Sequence, residues 1–477
     1  MKIIGFKDII AHMNYWTKEN LISALPNAKF YNFNETFKPA SGVRVTFLNF
    51  DENCIALIRL QGEEKGIPLQ YIDKIKDKAS AFLTTDAKAV EGYGLPIIEV
   101  ENVHKAIFVM ARYKRARFSG KVVDITGSAG KSTTTKMCYL ALEEYGASAN
   151  LNQANTNFGI AWNSTNYAQT DKYWINETSL GGGISLNSLL TMPNIAVVTN
   201  IAPVHLKPTQ PLKNVAIEKA KIFDYIKKDG YAILYKEMVY FDYVCEAAKN
   251  KNCNIITFGE SEDADVRVEA GDLNYISVFG QKYLFSSNPV PTHILLDVAI
   301  VSAILHILGL PIEHAYEKLR EFKSLPGRGE VLCGNIFSDK YVTVVDESFN
   351  ANPLSMKFSI QGFNRLYGEK ENKILILGDM AEGGPDTVKQ HVELAKYIQE
   401  VNPSRVLLCG KEMKNLWEVI KSDYKGNYYE NSDDLINELS DYIVDNDYIL
   451  VKASHSVELF KVVTNLKKIM QESNLKQ

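Results

Sequence analysis

Seven consecutive residues, Gly127-Ser128-Ala129-Gly130-Lys131-Ser132-Thr133, have the types and spacing that hold a phosphate. Glycines let backbone N–H groups close around an anion, and the N-terminus of a following helix adds partial positive charge. Lys131 is expected to reach the terminal phosphates of a nucleotide, and the Ser132 hydroxyl to hold Mg²⁺. The pattern is G-x-x-G-K-S, with Ile125 where the commoner loop has its first glycine. Three further residues could act nearby. Glu177 and His205 each follow an apolar, strand-like run, and Lys219 follows in a helical pattern. In open α/β sheets ligands sit beyond the carboxyl ends of the strands. A carboxylate and an imidazole there are candidate Mg²⁺ ligands, although imidazole is an unusual partner for so hard an ion. Taken singly, each has an ordinary alternative: a solvated strand end, a hydrogen-bonded loop histidine, a surface helix charge.

These residues need elements to position them. The run 122–125 reads as a buried strand, and Met137, Leu140, Ala141 and Glu144 have helical spacing after the glycine turn. Strands are expected at 173–176, 195–201 and 231–234, a helix end at 223–226, and a poorly patterned strand-like stretch at 251–289. The run 294–312 is apolar enough to resemble a membrane span. It contains Asp297 and His306 and ends at Gly309 and Pro311, so 293–308 reads as a buried core helix. Before the loop, 54–60 and 81–84 read as strands and 69–78 as a helix; 101–117 reads as a helix whose basic end complements its C-terminus. Residues 325–330 form a turn-rich boundary. Beyond it, apolar runs at 341–345, 374–377, 406–409 and 448–451 alternate with helical patterns at 353–366, 388–400 and 433–444, which implies a second, mostly parallel sheet.

The chain has 477 residues, 46% of them hydrophobic, and a net charge of −4, so nothing suggests a nucleic-acid surface. Six cysteines lie scattered without metal spacing, as in a reducing compartment. The start, MKIIGFKDIIAHMNYW, does not read as a signal peptide. The expectation is a cytoplasmic monomer with small-molecule partners and neither nucleic-acid nor membrane binding.

Four segments carry a resemblance: ITGSAGKSTTTKM (125–137), TNIAPVHLKPTQPLKNVAIEKAKIF (199–223), LPGRGEV (325–331), and VVDESFNANPLSMK with ILILGDMAEGG (344–357, 374–384). The sequence resembles the Mur ligases, ATP-dependent ligases that add amino acids or dipeptides to peptidoglycan precursors, most of all their D-alanyl-D-alanine-adding branch. The resemblance runs from about residue 50 to the end and includes His391. It implies an α/β protein of three domains: an N-terminal substrate-binding domain (1–119), a central ATP-binding domain related to phosphate-loop ATPases (120–325) and a C-terminal Rossmann-like domain (326–477). Matched by position, Gly127 to Thr133 corresponds to the ATP loop, and Glu177 and His205 to Mg²⁺ ligands. Lys219 matches a lysine carried as a carbamate, which turns a cation into an anionic oxygen ligand. Asn157 matches a position near the reacting groups. Arg328 and Glu347 to Asn350 match positions where the third domain closes over ATP.

The sequence departs from the family in places. His293 is present, but Ile294 and Asp297 replace two asparagines found near the adenine, and Glu347 replaces an aspartate. The segment Thr178 to Gly183 is shorter than the branch pattern, and Gly62 to Gly66 runs directly into Ile67-Pro68 where the branch has Asp-Gly-His. The implied activity is an ATP-dependent carboxylate–amine ligase with ATP and Mg²⁺. Its rivals are a relative with the same chemistry and another substrate, a phosphate-loop kinase or GTPase, and a non-catalytic nucleotide binder.

Overall fold

Apolar runs alternate with amphipathic helices, and in a computed structural model they assemble into three sheets. The structure describes residues 14–34, 37–150, 154–203, 210–337, 340–381 and 384–474. The first sheet has the spatial order Lys29–Tyr31, Ile97–Glu99, Ala79–Thr84, Cys54–Arg59, Val43–Arg44, with Ile67–Pro68 also paired to Cys54–Arg59. The second has nine strands: Gln281–Ser286, Asn274–Val278, Val266–Glu269, Asn254–Gly259, Tyr231–Tyr235, Ile195–Val198, Lys121–Thr126, Tyr173–Glu177 and Ala147–Ala149. The third runs Glu330–Ile336, Lys340–Glu347, Asp447–Lys452, Lys373–Gly378, Arg405–Cys409, Lys425–Tyr429. It is parallel apart from the antiparallel edge Glu330–Ile336.

The chain forms two compact units: Met1–Ile125 with Leu142–Ala196 and Lys221–Gly230, and Thr126–Ala141 with Val197–Ala220 and Tyr231–Gln477. In the first, the helix Val103–Ala116 buries Val103, Ala106, Ile107, Met110 and Ala111, one stripe at helical spacing, and the Asn102 side chain caps it by accepting from Lys105 N. The stripe packs on Trp16, Leu21, Ile55, Leu83 and Ile98. The basic end of this helix serves carbonyls. Arg115 donates to Thr191 O and Met192 O, at the C-terminus of the helix Ile184–Thr191, and Lys114 Nζ donates to Thr165 O at 2.9 Å. Helix C-termini leave carbonyls without partners, and cations there are favourable.

Lys114 is buried, with its Nζ 4.8 Å from the centre of the Tyr15 ring, and burial pulls its pKa down to about 7 from 10.5. The unfolded chain therefore binds this proton more tightly than the folded one. Stability from this group rises with pH between about 7 and 10.5 and is lowest below 7. Lys114→Met, which keeps the length and removes the charge, is expected to raise the thermal midpoint at pH 6, with the gain shrinking by pH 9.5. Equal midpoint differences at both pH values would contradict this.

In the second unit, the helix Thr292–Leu308 buries every residue from Leu295 to Leu305, which explains its apolar composition. No helix among the described residues is long and apolar enough to cross a membrane. In the third sheet, Asn352 caps the helix Pro353–Tyr367 in a reciprocal pair with Ser355, with Pro353 as its first residue.

Candidate active site

The strand Lys121–Thr126 ends at Gly127, and the helix Lys131–Leu142 begins at the loop lysine. Two glycines are required by close approach. A Cβ on Gly127 would lie 1.8 Å from Thr199 Oγ1, and Gly130, at φ +83°, occupies the left-handed region that L side chains avoid. The loop is fixed from the end of the neighbouring strand. Asn200 Oδ1 accepts from Ser128 N and Ala129 N at 3.1 and 2.9 Å, while Thr199 Oγ1 and Asn200 Nδ2 both donate to Ala129 O. The Ser128 hydroxyl donates to Ala202 O and accepts from Ala202 N. The N–H groups of Ser128 and Ala129 are thus turned to Asn200. Asn352 Nδ2 lies 3.5 Å from Ser128 O, so the segment after the strand Lys340–Glu347 meets the same loop.

Lys131 and Lys219 converge. Each Nζ donates to Gly127 O at 2.8 Å. Lys219 sits in the helix Lys213–Ala220 and is 1% exposed; burial first, and the Lys131 charge second, hold its pKa well below the ordinary lysine value. The result is a buried amine biased toward its neutral, nucleophilic form. Ser132 and Thr133 are buried at the start of the loop helix.

A second cluster lies around Glu347. Its carboxylate is 3.4 Å from Lys452 Nζ and 4.0 Å from His293 Nε2, and Lys452 also donates to Asn350 O. Burial lowers the His293 pKa, and no partner for its Nδ1 occurs among the described residues. Arg328 stacks 3.9 Å over the Phe349 ring, and Gly327 N donates to Asp346 Oδ2 at 3.0 Å. The resemblance segments around 325–331 and 344–357 therefore form one locally bonded group in the second unit.

Glu177 and Asn157 belong to the first unit. Glu177 is the last residue of the strand Tyr173–Glu177 rather than the residue after it, and is buried. The side chain of Asn150 brackets it, accepting from Glu177 N at 2.6 Å and donating to Glu177 O at 3.0 Å, while Asn155 Nδ2 donates to its carboxylate at 2.7 Å. Asn157 begins the helix Asn157–Asn166 and donates to Gly183 O and to Asn187 Oδ1. A Cβ on Gly182 would stand 1.7 Å from Asn157 Oδ1, so the short glycine segment after Glu177 is shaped to this side chain. His205 lies outside the described residues. His391 is buried, accepts from Met380 N through Nε2 and meets Thr387 O through Nδ1, which gives it a structural task.

The description Mur ligase middle domain matches residues 125–298, and the glutamate ligase domain of the Mur ligases matches 327–455, together more than half of the chain. The chain belongs to the Mur ligase family. It is an ATP-dependent ligase that forms amide bonds, as Mur ligases do. The UDP-N-acetylmuramoyl-tripeptide–D-alanyl-D-alanine ligase of Rickettsia prowazekii is 28% identical over 416 residues, 85% of this chain and 91% of that one. The solved structure of MurF from Acinetobacter baumannii is 18% identical with a TM-score of 0.78, covering 95% of this chain and 99% of that one. MurF from Thermotoga maritima, solved in complex with ADP, gives 19% identity, a TM-score of 0.73, and coverage of 91% and 98%. Both share the fold of this Mur ligase.

The loop fits the nucleotide that a Mur ligase uses: it joins a strand to the N-terminus of the helix Lys131–Leu142, where a lysine and the hydroxyls of Ser132 and Thr133 stand. Mg²⁺ asks for hard oxygen ligands. The Ser132 hydroxyl and the Glu177 carboxylate meet that requirement, whereas Lys219 as a bare amine does not. Among the described residues no group of three or more His, Cys, Asp or Glu side chains could hold a metal ion.

Proposed function

We propose that this Mur ligase activates a peptide carboxylate as an acyl phosphate and joins it to the amine of an amino acid or dipeptide. A carboxylate oxygen attacks the γ-phosphorus of ATP, the bond to the bridging oxygen breaks, and ADP leaves. The amine then attacks the acyl carbon. The tetrahedral intermediate expels phosphate, which keeps the former carboxylate oxygen, and the amine proton is released. The convergence of Lys131 and Lys219 on the loop carbonyl of Gly127 carries the reading. Lys131 offsets charge on the transferring phosphoryl group, the main task in such transfers.

Mg²⁺, when bound, supplies further charge neutralisation, with Ser132, Glu177 and His205 as its proposed ligands. Lys219 joins them as a carbamate, formed when its neutral amine adds to CO₂ and loses a proton. Asn157 keeps its proposed place near the reacting groups. Arg328, Glu347 and Asn350 are proposed to close on the nucleotide, with His293 at the adenine. Domains at 1–119, 120–325 and 326–477 and a cytoplasmic setting complete the proposal.

The carboxylate substrate is proposed to differ from the standard UDP-linked muramoyl tripeptide. Arg44, a cation on the strand Val43–Arg44 of the first sheet, is engaged rather than free for a diphosphate: Nε donates to Asp51 at 2.8 Å and Nη1 to Asn166 Oδ1 at 2.5 Å. A site built to read a base and a diphosphate discriminates by orders of magnitude when its donors are lost. The competing reading, that the substrate is that of the named relatives, is supported by the length over which they align. A phosphate-release assay with the UDP-linked tripeptide, D-alanyl-D-alanine and Mg–ATP decides. The expected efficiency is well under 10⁴ M⁻¹s⁻¹; a value above about 10⁴ M⁻¹s⁻¹, ordinary for an enzyme on its own substrate, would establish the competing reading.

A further inference from the structure

Asp297 occupies a place under the phosphate loop that its sequence position does not reveal. It lies on the helix Thr292–Leu308 and is 5% exposed. A Cβ on Gly130 would stand 3.2 Å from its Oδ1. The same Oδ1 is 2.5 Å from the Thr134 hydroxyl, which is also 3.0 Å from Gly130 O. A threonine hydroxyl has one proton to give. A peptide carbonyl can only accept, so if Thr134 donates to Gly130, the proton between Thr134 and Asp297 must come from Asp297. No ion pair to Asp297 occurs among the described residues.

We propose that Asp297 is a positioning residue for ATP binding: as an un-ionised carboxylic acid it donates to Thr134, which in turn holds the Gly130 carbonyl and the turn of the phosphate loop. Ionisation would reverse the first bond, draw the Thr134 proton away from Gly130 and put a negative charge beneath a site for anionic phosphates. Burial raises the carboxyl to about 7 from 3.8, against the opposing pull of the Thr134 hydrogen bond. The titratable group that faces Asp297 is the Cys138 thiol on the loop helix, which burial keeps neutral. The strands Asn254–Gly259, Val266–Glu269 and Asn274–Val278 and the helices Ile312–Arg320 and Pro353–Tyr367, which pack on this helix, bring no described charge that shifts it. An asparagine here would be a permanent donor; the aspartate makes the same bond conditional on pH.

The inference rests on reading 127–133 as the ATP loop, and the test separates the two. Mg–ATP affinity is measured by calorimetry from pH 7 to pH 9 for the full chain and for Asp297→Asn. A required proton weakens binding up to tenfold per unit above its pKa. The ratio of wild-type to Asp297→Asn dissociation constants is expected to rise at least tenfold over this range. A ratio constant within twofold overturns the inference and leaves the loop reading standing; absence of Mg–ATP binding by the wild type at any pH overturns both. Thr134→Ser and Thr134→Val supply a second arm that does not depend on how well Asp297→Asn folds. The serine variant is expected to keep the wild-type affinity and pH slope, and the valine variant, which has no hydroxyl to pass the bond on to Gly130, to bind at least tenfold more weakly already at pH 7. A valine variant with the wild-type affinity and slope would overturn the relay.

Discussion

Lys131→Ala is expected to lower the rate of ADP release during ligation by about a thousandfold or more. Fixed charge aimed at a transferring phosphoryl group acts where charge develops, and removing one such donor typically costs 10²–10³ in rate, about 3–4 kcal/mol. A loop lysine that reaches the terminal phosphates is expected at the upper end or beyond. The fold should survive. The bond from Lys131 to Gly127 O is local, and Lys219 still donates to that oxygen in the variant. Circular dichroism and the thermal midpoint check the fold, and steady-state ADP release checks the effect. A folded Lys131→Ala enzyme turning over at the wild-type rate would end the assignment of the loop.

Lys219→Ala should be as severe, while Lys221→Ala should stay within a few-fold of wild type. The two lysines lie about 200° apart around a helix of 3.6 residues per turn, so both cannot face the loop. The structure gives Lys219 to Gly127 and leaves Lys221 half-buried at the helix end. The carbamate makes a separate demand. Activity should fall in buffer stripped of CO₂ and return with bicarbonate, because a bare ammonium repels Mg²⁺ and its carbamate attracts it. An inactive Lys221→Ala beside an active Lys219→Ala would contradict the register; activity indifferent to bicarbonate would contradict the carbamate while leaving the lysine's place intact.

What the sequence made legible follows the strength of the local signal. The buried strand before the loop, its helix and the core helix have long apolar or helical patterns, and they occur at Lys121–Thr126, Lys131–Leu142 and Thr292–Leu308. The expected helix at 69–78 is a shorter 3₁₀ segment, Leu69–Lys74, and the one at 388–400 is interrupted between Val392 and Ala395. The strand Lys425–Tyr429 escaped notice because it lies at a sheet edge and carries Gly426 and Asn427, poor strand formers. Stretch 251–289 hid four short strands, two of them closed by antiparallel pairing rather than by βαβ crossovers. In the site, the glycine loop and Lys219 could be picked out from residue types and the family resemblance. Asn150, Thr199 and Asn200 could not be assigned roles. Each is a short polar side chain whose task is to satisfy backbone groups far away in sequence, and such bonds leave no periodicity to read. Asp297 is legible in the sequence as a charge within an apolar helix and as a departure from the family; its partner, the Thr134 hydroxyl, is not.

The central claim is that one carboxylate oxygen passes to phosphate while an amide forms. A phosphate-release screen pairs peptide carboxylates, UDP-linked and free, with amino acids and dipeptides, and the best pair is then run with heavy oxygen in the carboxylate. The expected result is one ADP, one amide and one phosphate per turnover, with a single heavy oxygen in each phosphate and no phosphate released when the carboxylate is omitted. Phosphate without label, its new oxygen taken from water, or a phosphorylated product without an amide, would contradict the account.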